Sequence, residues 1–521
     1  MNVLLLLLLA CGADPDGGLA RPSTLDSGAD TGSAGSDTQQ PTGMPGSTGD
    51  TGDTIVTGDT VVTGDTASTG ATSDTGDTAH SGSTTADTGT PPPPRIRVML
   101  HGGGSEDDAV YQRFVDAVGP GEIVTLGSVA PADPDRDWWD GYFVKLGATS
   151  ARTINVTERV QADDPAVVGA LATAAGVYIR GGDQSRYLSL WEGTLLHDAL
   201  GDAVDAGAVV GGSSAGCALL GERVYDARVS SVTPYDVLND AQHPGLTFTD
   251  GFFDLLPGVL TDTHFTERGR LGRLLVFQAR WKQDGVDGLA IGVDPRTALF
   301  VYDDGTAEVA GDGAVSLLDG RSATASLPAG ASPDIRDVRW WNLPAGYVVN
   351  LDDLDDPVLQ RPAYVQPAPV AAAPSGWASL RLEGGDGSQR DLGSWWLSNL
   401  GSDPWAWFYG DLELSAGRDD LPGALVLTGL WADSDYFENH QGGLGWALSE
   451  HPELVAVGVD VTHRVDVAPP ATLTPVGGSY ALVIDGRSMG WAGFADDAGW
   501  QRAALEGATV HVVGPGTTWA P

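Results

Sequence analysis

Ala208-Val209-Val210-Gly211-Gly212-Ser213-Ser214-Ala215-Gly216-Cys217-Ala218-Leu219-Leu220 is the stretch whose reading decides the fold. A short apolar run enters a cluster of small residues and leaves as a helical pattern, the sequence form of a strand, a tight turn and a helix N-terminus. Ser214 is the centre of Gly212-x-Ser214-x-Gly216. Glycines on either side of a serine tolerate the strained turn of a nucleophile elbow, which lifts the hydroxyl clear of the backbone. A helix starting just after it offers free N–H groups to an oxyanion. Gly and Ser also cluster in ordinary strand-to-helix turns, so the pentapeptide alone does not assign a reaction.

Upstream, the same alternation repeats. Ile96 to Leu100 reads as a buried strand, followed by His101-Gly102-Gly103-Gly104 and a helical pattern through Tyr111, Phe114, Val115 and Val118. Glu122 to Val129, Arg152 to Val156 and Gly176 to Ile179 read as further strands, with helices over 137–146, 167–174 and 195–206. Strands alternating with helices at these lengths predict an α/β fold, a three-layer sandwich built on a mostly parallel sheet. Ligands gather at the carboxyl ends of such strands. The turns Gly102 to Gly104, Gly181 to Gln184 and Gly211 to Gly216 therefore face one crevice.

The whole chain has 521 residues and a formal net charge of −42. That acidity argues against nucleic acid or an anionic membrane as a partner through a basic face. Residues 1–11 read as a lipoprotein-type signal peptide. Val3 to Ala10 is an apolar h-region too short to span a bilayer, and Leu8-Leu9-Ala10-Cys11 has the form of a lipobox that makes Cys11 the lipidated residue. The expectation is an extracytoplasmic, membrane-anchored lipoprotein touching the membrane through lipid alone; an ordinary cleaved signal and a secreted protein is the alternative. Residues 12–94 form a Thr/Gly/Asp-rich linker with Thr-Gly-Asp-Thr repeats and no Lys or Arg between Arg21 and Arg95, a composition that cannot bury enough apolar surface to fold.

Residues 95–336 then resemble the cyanophycinase and S51 serine peptidase family. The resemblance rests on Tyr178-Ile179-Arg180-Gly181-Gly182-Asp183-Gln184, Gly212-Ser213-Ser214-Ala215-Gly216, Leu256-Pro257-Gly258-Val259-Leu260-Thr261-Asp262-Thr263-His264-Phe265, Arg268-Gly269-Arg270-Leu271-Gly272-Arg273 and Leu289-Ala290-Ile291-Gly292-Val293-Asp294, in that order. It implies a fold related to class I glutamine amidotransferases and hydrolysis of aspartyl or β-aspartyl peptide bonds, with the β-Asp-Arg units of cyanophycin as the type substrate. Ser214 matches the nucleophile and His264 the base, a pairing that serine chemistry requires because the hydroxyl is inert until its proton is taken. Gly182 and Ala215 are the implied oxyanion donors. Asp183, Gln184, Asp262 and Arg268 are the implied substrate contacts; capping of a turn is the alternative for both aspartates.

The acid behind His264 departs from the family pattern. The family glutamate after Gly-x-Gly-x-Asp is replaced by Pro295, which leaves the adjacent Asp294 as the expected triad acid and Asp226 and Asp236 as alternatives. That departure motivates a second reading, a catalytically inactive surface-binding module on a decayed peptidase fold. No metal or other cofactor is expected, since His101, His197, His243 and His264 lack partners at ligand spacing.

Residues 337–521 read as a Trp-rich, β-rich accessory domain or a degenerate partial copy. Val455-Ala456-Val457-Gly458-Val459-Asp460 and Ile484-Asp485-Gly486-Arg487-Ser488 echo Leu289 to Asp294 and Leu318 to Ser322, and Asp435-Tyr436-Phe437 with Leu444-Gly445 aligns with Asp262-Thr263-His264 and Leu271-Gly272.

Overall fold

The computed structural model describes residues 93–129, 138–253, 255–368, 380–384, 408–409, 412–415, 424–428, 445, 448–449, 452–459, 463–468, 472–497 and 500–520. The signal region with Cys11, the Thr-Gly-Asp-Thr repeats and Asp435-Tyr436-Phe437 lie outside these described residues. Gly89–Pro521 is one compact unit.

The chain enters the fold as β1 (Ile96–His101), α1 (Asp108–Val118), β2 (Glu122–Gly127), α2 (Trp138–Lys145), β3 (Ser150–Asn155), α3 (Pro165–Leu171), β4 (Ala174–Ile179), α4 (Gln184–Trp191), α5 (Leu195–Asp205) and β5 (Val209–Ser213). Side-chain caps start the helices: Asp107, Asp164, Asp183 and Thr194 each accept from a free N–H of the first turn. The strands line up as β1-β5-β4-β2-β3, all parallel, because each returns through a helix.

After β5 the helix is one turn long, α6 (Ala215–Ala218). Then come β6 (Gly221–Tyr225), α7 (Pro234–Asn239), β7 (Phe248–Asp250), β8 (Leu256–Asp262), α8 (Leu271–Gln283), β9 (Leu289–Val293), β10 (Thr297–Tyr302), β11 (Thr306–Gly311), β12 (Ala314–Asp319), β13 (Thr324–Ser326), β14 (Asp334–Pro344), β15 (Val348–Asn350) and β16 (Val358–Gln360). Beyond β1 the first sheet continues antiparallel through β10, β11, β15 and β16. The fold is α/β as expected, but the sheet is parallel only on the elbow side of β1.

A second sheet, in the order β7-β6-β8-β9-β12-β14, stacks on the first. Val98, Leu100, Val210 and Leu299 of one sheet share a core with Ile291, Val293, Leu317 and Trp341 of the other. The outer face of the first sheet is covered by α1 and α2 through Phe114, Phe143 and Tyr178. The outer face of the second is covered by α8, whose Leu274, Leu275, Phe277 and Trp281 are buried. The extra sheet thus adds a layer to the expected sandwich.

The second sheet does not stop where the composition changes. Asp337 lies inside β14, at a register shift and with φ 61°, so the expected boundary at 336/337 falls within a strand rather than between domains. The remaining strands are β17 (Gln366–Pro367), β18 (Leu380–Gly384), β19 (Phe408–Tyr409), β20 (Leu412–Ser415), β21 (Ala424–Thr428), β22 (Val455–Val459), β23 (Arg464–Ala468), β24 (Thr472–Pro475), β25 (Ala481–Asp485), β26 (Trp491–Asp497) and β27 (Trp500–Val513). β27 pairs with β14, and β25, β22, β21 and β19 extend the same sheet outward. A separate sheet runs β20-β18-β23-β24.

Backbone contact at the elbow depends on glycine. A Cβ on Gly216 falls 2.1 Å from the Ile179 carbonyl oxygen, and one on Gly212 falls 2.5 Å from that of Gly216. Gly216→Ala is expected to cost about 1–3 kcal/mol through forced separation of α6 from β4, read as a lower urea midpoint at unchanged m; an unaltered midpoint contradicts this packing.

Candidate active site

The three glycine-rich turns meet at the C-terminal ends of β1, β4 and β5. Ser214 adopts φ 51° and ψ −118°, a conformation that costs an L-residue roughly 1–3 kcal/mol and that is stored at functional turns. Its N–H donates to His101 O at 3.0 Å, which leaves the side chain facing the crevice. The Gly181 turn closes on it: a Cβ on Gly181 falls 3.4 Å from Ser214 Cβ. Neither Gly182 N–H nor Ala215 N–H donates a hydrogen bond among the described residues, so both expected oxyanion donors are available.

His264 follows β8 with φ 47°, and its N–H donates to Gly102 O at 2.8 Å. Its Nε2 is 3.0 Å from Ser214 Oγ. Its Nδ1 is 2.6 Å from Glu267 Oε2. A carboxylate accepts, so Nδ1 carries the proton and the Nε2 lone pair faces the serine hydroxyl. Burial pushes the imidazole below its usual value, the Glu267 hydrogen bond raises it, and the Arg268 and Arg270 charges lower it again. The net downward shift keeps His264 neutral near pH 7, the form that can take a proton. The hydrogen bond to His264 holds the Glu267 carboxyl below the usual carboxylate range.

Glu267 therefore occupies the place expected for Asp294. The Asp294 carboxylate accepts from Thr266 N–H at 2.9 Å and Ala314 N–H at 2.9 Å, and burial pushes its pKa up to about 6. It braces the turn that carries Glu267. Asp226 is also engaged elsewhere, accepting from Thr249 Oγ1 at 3.0 Å and from the Thr247 hydroxyl, while Asp236 closes a capping box with Thr233 on α7. In the sequence Glu267 is a carboxylate three residues after the base, outside the motifs that carry the family resemblance.

A second residue outside the expected set shapes the site. Gly103 N–H donates to His101 Nδ1 at 3.2 Å, and Ser213 Oγ lies 3.0 Å from the same nitrogen. Burial drives His101 down to about 3, so it stays neutral and pins the glycine turn against the catalytic imidazole. At Gly103, φ is 97° and an added Cβ falls 2.3 Å from His264 Nε2, so no side chain fits there.

The expected substrate contacts divide. Arg268 is exposed and makes no ion pair among the described residues. Gln184 stands at the start of α4, its Nε2 3.3 Å from Tyr225 O. Asp183 caps α4, accepting from Ser185 N–H at 2.8 Å, which is the turn-capping alternative. Asp262 is 4% exposed and is held by Arg273 at 2.6 and 2.7 Å and by Arg270 at 3.2 Å. Its carboxylate is consumed inside the protein, which corrects its assignment as a substrate contact. Cys217 is buried, and burial raises its thiol far above the thiolate range.

Residues 139–309 match the family described as Peptidase family S51. Over that stretch the chain is similar to the S51 peptidases. The cyanophycinase of Geminocystis herdmanii is 29% identical over 228 residues, 42% of this chain and 79% of that protein. The cyanophycinase of a Nostoc species is 32% identical over 178 residues, 34% of this chain and 56% of that protein. Among solved structures, a peptidase from an acI-B1 Actinobacterium aligns over 49% of this chain and 97% of its own at 20% identity, with a TM-score of 0.37. The family match and the cyanophycinase relatives together support a serine-type peptidase.

Buried Asp262 anchors the loop that carries His264. Burial raises its pKa, but Arg273 and Arg270 outweigh burial and hold it below the usual carboxylate range. Its stabilisation is present above the unfolded pKa near about 4 and is lost as pH falls through the folded value. Asp262→Asn is expected to cost about 3–5 kcal/mol at pH 7, a deficit that shrinks in acid; a pH-independent difference in denaturant midpoint contradicts the pairing.

Proposed function

We propose that this S51 peptidase hydrolyses aspartyl or β-aspartyl peptide bonds, with Ser214 as nucleophile, His264 as general base and Glu267 as the carboxylate that orients the base. The observation carrying this reading is the continuous chain Ser214 Oγ–His264 Nε2 at 3.0 Å and His264 Nδ1–Glu267 Oε2 at 2.6 Å, set on a strained elbow.

Ser214 Oγ attacks the peptide carbonyl carbon as its proton passes to His264 Nε2. The carbonyl oxygen becomes an oxyanion facing the free N–H groups of Gly182 and Ala215. His264 returns the proton to the leaving amine, the C–N bond breaks and an acyl-serine remains. Water attacks that ester by the same proton transfers and releases Ser214. The exposed Arg268 guanidinium, one residue beyond Glu267, and Gln184 across the crevice supply the charge and amide that a substrate carboxylate needs.

The cyanophycinase relatives support cyanophycin and β-Asp-Arg as the first substrates to assay. The inert-scaffold reading loses its motive, since Glu267 stands on His264 despite Pro295. We propose also that Cys11 is lipidated and anchors the enzyme outside the cytoplasm, as the lipobox-like run suggests.

Wild-type protein is expected to cleave β-Asp-Arg or cyanophycin, and Ser214→Ala to lower kcat on the order of 10⁶-fold. A fluorophosphonate is expected to label Ser214 only while His264 is intact. Absence of labelling defeats the nucleophile assignment; labelling without cleavage of any aspartyl peptide defeats the substrate class alone.

The acidic limb of kcat/KM is expected below pH 6.5, where His264 protonates. Glu267→Gln removes the bond that favours the imidazolium, so the limb moves further into acid while kcat drops about 10²–10⁴-fold. A limb that moves toward neutral pH, or an unchanged kcat, overturns the role of Glu267.

A further inference from the structure

The second sheet has a symmetry that its sequence shows only in part. β14 and β27 lie antiparallel at its middle, and the strands on either side repeat in mirrored order, β12-β9-β8-β6 outward from β14 and β25-β22-β21-β19 outward from β27. The pairing senses repeat as well. On both sides they run antiparallel, antiparallel, parallel and parallel.

Registers agree residue by residue. Leu289, Ala290, Ile291 and Gly292 face Asp319, Leu318, Leu317 and Ser316, while Val455, Ala456, Val457 and Gly458 face Asp485, Ile484, Val483 and Leu482. One constant displacement along the chain relates all of these pairs. The same displacement carries the hairpin pairs Leu299–Val309 and Val301–Ala307 onto Val465–Pro475 and Val467–Leu473. The turn chemistry is repeated too: Asp319 accepts from Arg321 N, Nε and Nη2 at 2.9, 3.0 and 3.0 Å, and Asp485 from Arg487 N, Nε and Nη2 at 3.0, 2.8 and 2.7 Å.

The axis relating the two sets can be located. Asp319 faces Arg339 as Asp485 faces Thr509, so Arg339 and Thr509 are equivalent positions. They pair with each other across β14 and β27, flanked by Val338–Val510 and its mirror Trp340–Ala508. A local two-fold axis therefore passes between Arg339 and Thr509. Isologous antiparallel pairing of one strand about such an axis is how two identical subunits join sheets, and it covers an edge that otherwise invites aggregation.

The second set has lost the chemistry. Pairing of β18 with β23 puts Glu383 where His101 stands, and Gly384 follows as Gly102 does. Beside β18 the antiparallel β20 replaces the parallel β5 that carries the elbow. Ala424 faces Val455 as Val259 faces Leu289, so Leu421-Pro422-Gly423 matches Leu256-Pro257-Gly258 and Gly429 takes the sequence position of His264. This register corrects the alignment of Phe437 with His264.

We propose that β14 is a two-fold docking edge for a second copy of this fold, and that the chain supplies that copy in cis. Residues 380–513 are a degenerate repeat that serves as a built-in partner subunit, and the protein is a monomer.

The test uses the full chain with Cys11→Ser, carrying Arg339→Cys, Thr509→Cys or both, under mild oxidation. Directly paired antiparallel residues have Cα atoms about 4.5–5.5 Å apart, within disulfide reach. The double variant is expected to close an intrachain bridge, seen as one linked peptide by mass spectrometry, and each single variant to stay uncrosslinked. A covalent two-chain species from Arg339→Cys alone overturns the proposal, because it places β14 against β14 of another chain. Arg339 also donates to Leu354 O and Asp355 O, so the unsubstituted chain is weighed by light scattering in parallel. A single-chain mass supports the proposal and a stable two-chain particle overturns it.

Discussion

Close backbone approach at the elbow is the constraint on which the rest of the site depends. β5 must stop at Ser213, reverse within one residue and start α6 against β4, and the only room for that is the missing Cβ of Gly212 and Gly216. The turn forces Ser214 to positive φ, and tertiary contacts keep it there: Ser214 N–H on His101 O, and Gly181 against its Cβ. The short length of α6 means that the exposed N–H groups of the turn, rather than a long helix dipole, supply the positive potential at the hydroxyl.

Three carboxylates near His264 are separated by their surroundings. Asp262 is buried between Arg270 and Arg273, and the two cations hold it ionised against the desolvation cost. Asp294 is equally buried and held by Thr266 and Ala314 rather than by a cation, so burial wins and it is pushed toward the neutral form. Glu267 is partly open to solvent and reaches His264 Nδ1 from the same turn. The local i,i+3 carboxylate contacts the base directly, while the β9–β10 loop contributes through Asp294, which braces the turn at Thr266; Pro295 packs toward Gly104.

The layered architecture positions the two reacting side chains. His264 is delivered by a strand of the second sheet and Ser214 by a strand of the first, and the turn Gly102 to Gly104 bridges them through Gly102 O to His264 N–H and Gly103 O to Arg296 N–H. The core shared by Val210, Leu299, Ile291 and Leu317 fixes the spacing of the sheets. The second sheet is in turn prolonged by β27 across β14, so the C-terminal strands support the layer that holds the base.

Alternating strands and helices, the Gly-x-Ser-x-Gly turn and the order of the motifs were legible in the chain, because periodicity and glycine placement are local properties. They identified β1 to β5, the elbow, Ser214 and His264 as residues to be brought together. What contacts His264 Nδ1 was not legible. Asp294, Asp226, Asp236 and Glu267 are all acids that the fold could bring to the base, and only packing shows which are already consumed by N–H groups and hydroxyls. Asp262 had the look of a substrate contact until Arg270 and Arg273, one helical turn apart, closed on it. Nor could composition reveal that β14 continues through Asp337 into a sheet shared with β27, since strand pairing joins residues far apart in the chain and leaves no mark on either segment alone. The sequence by itself determined which residues could react; the tertiary structure decided which carboxylate stands behind them, because that choice is made by burial and by competition for hydrogen bonds.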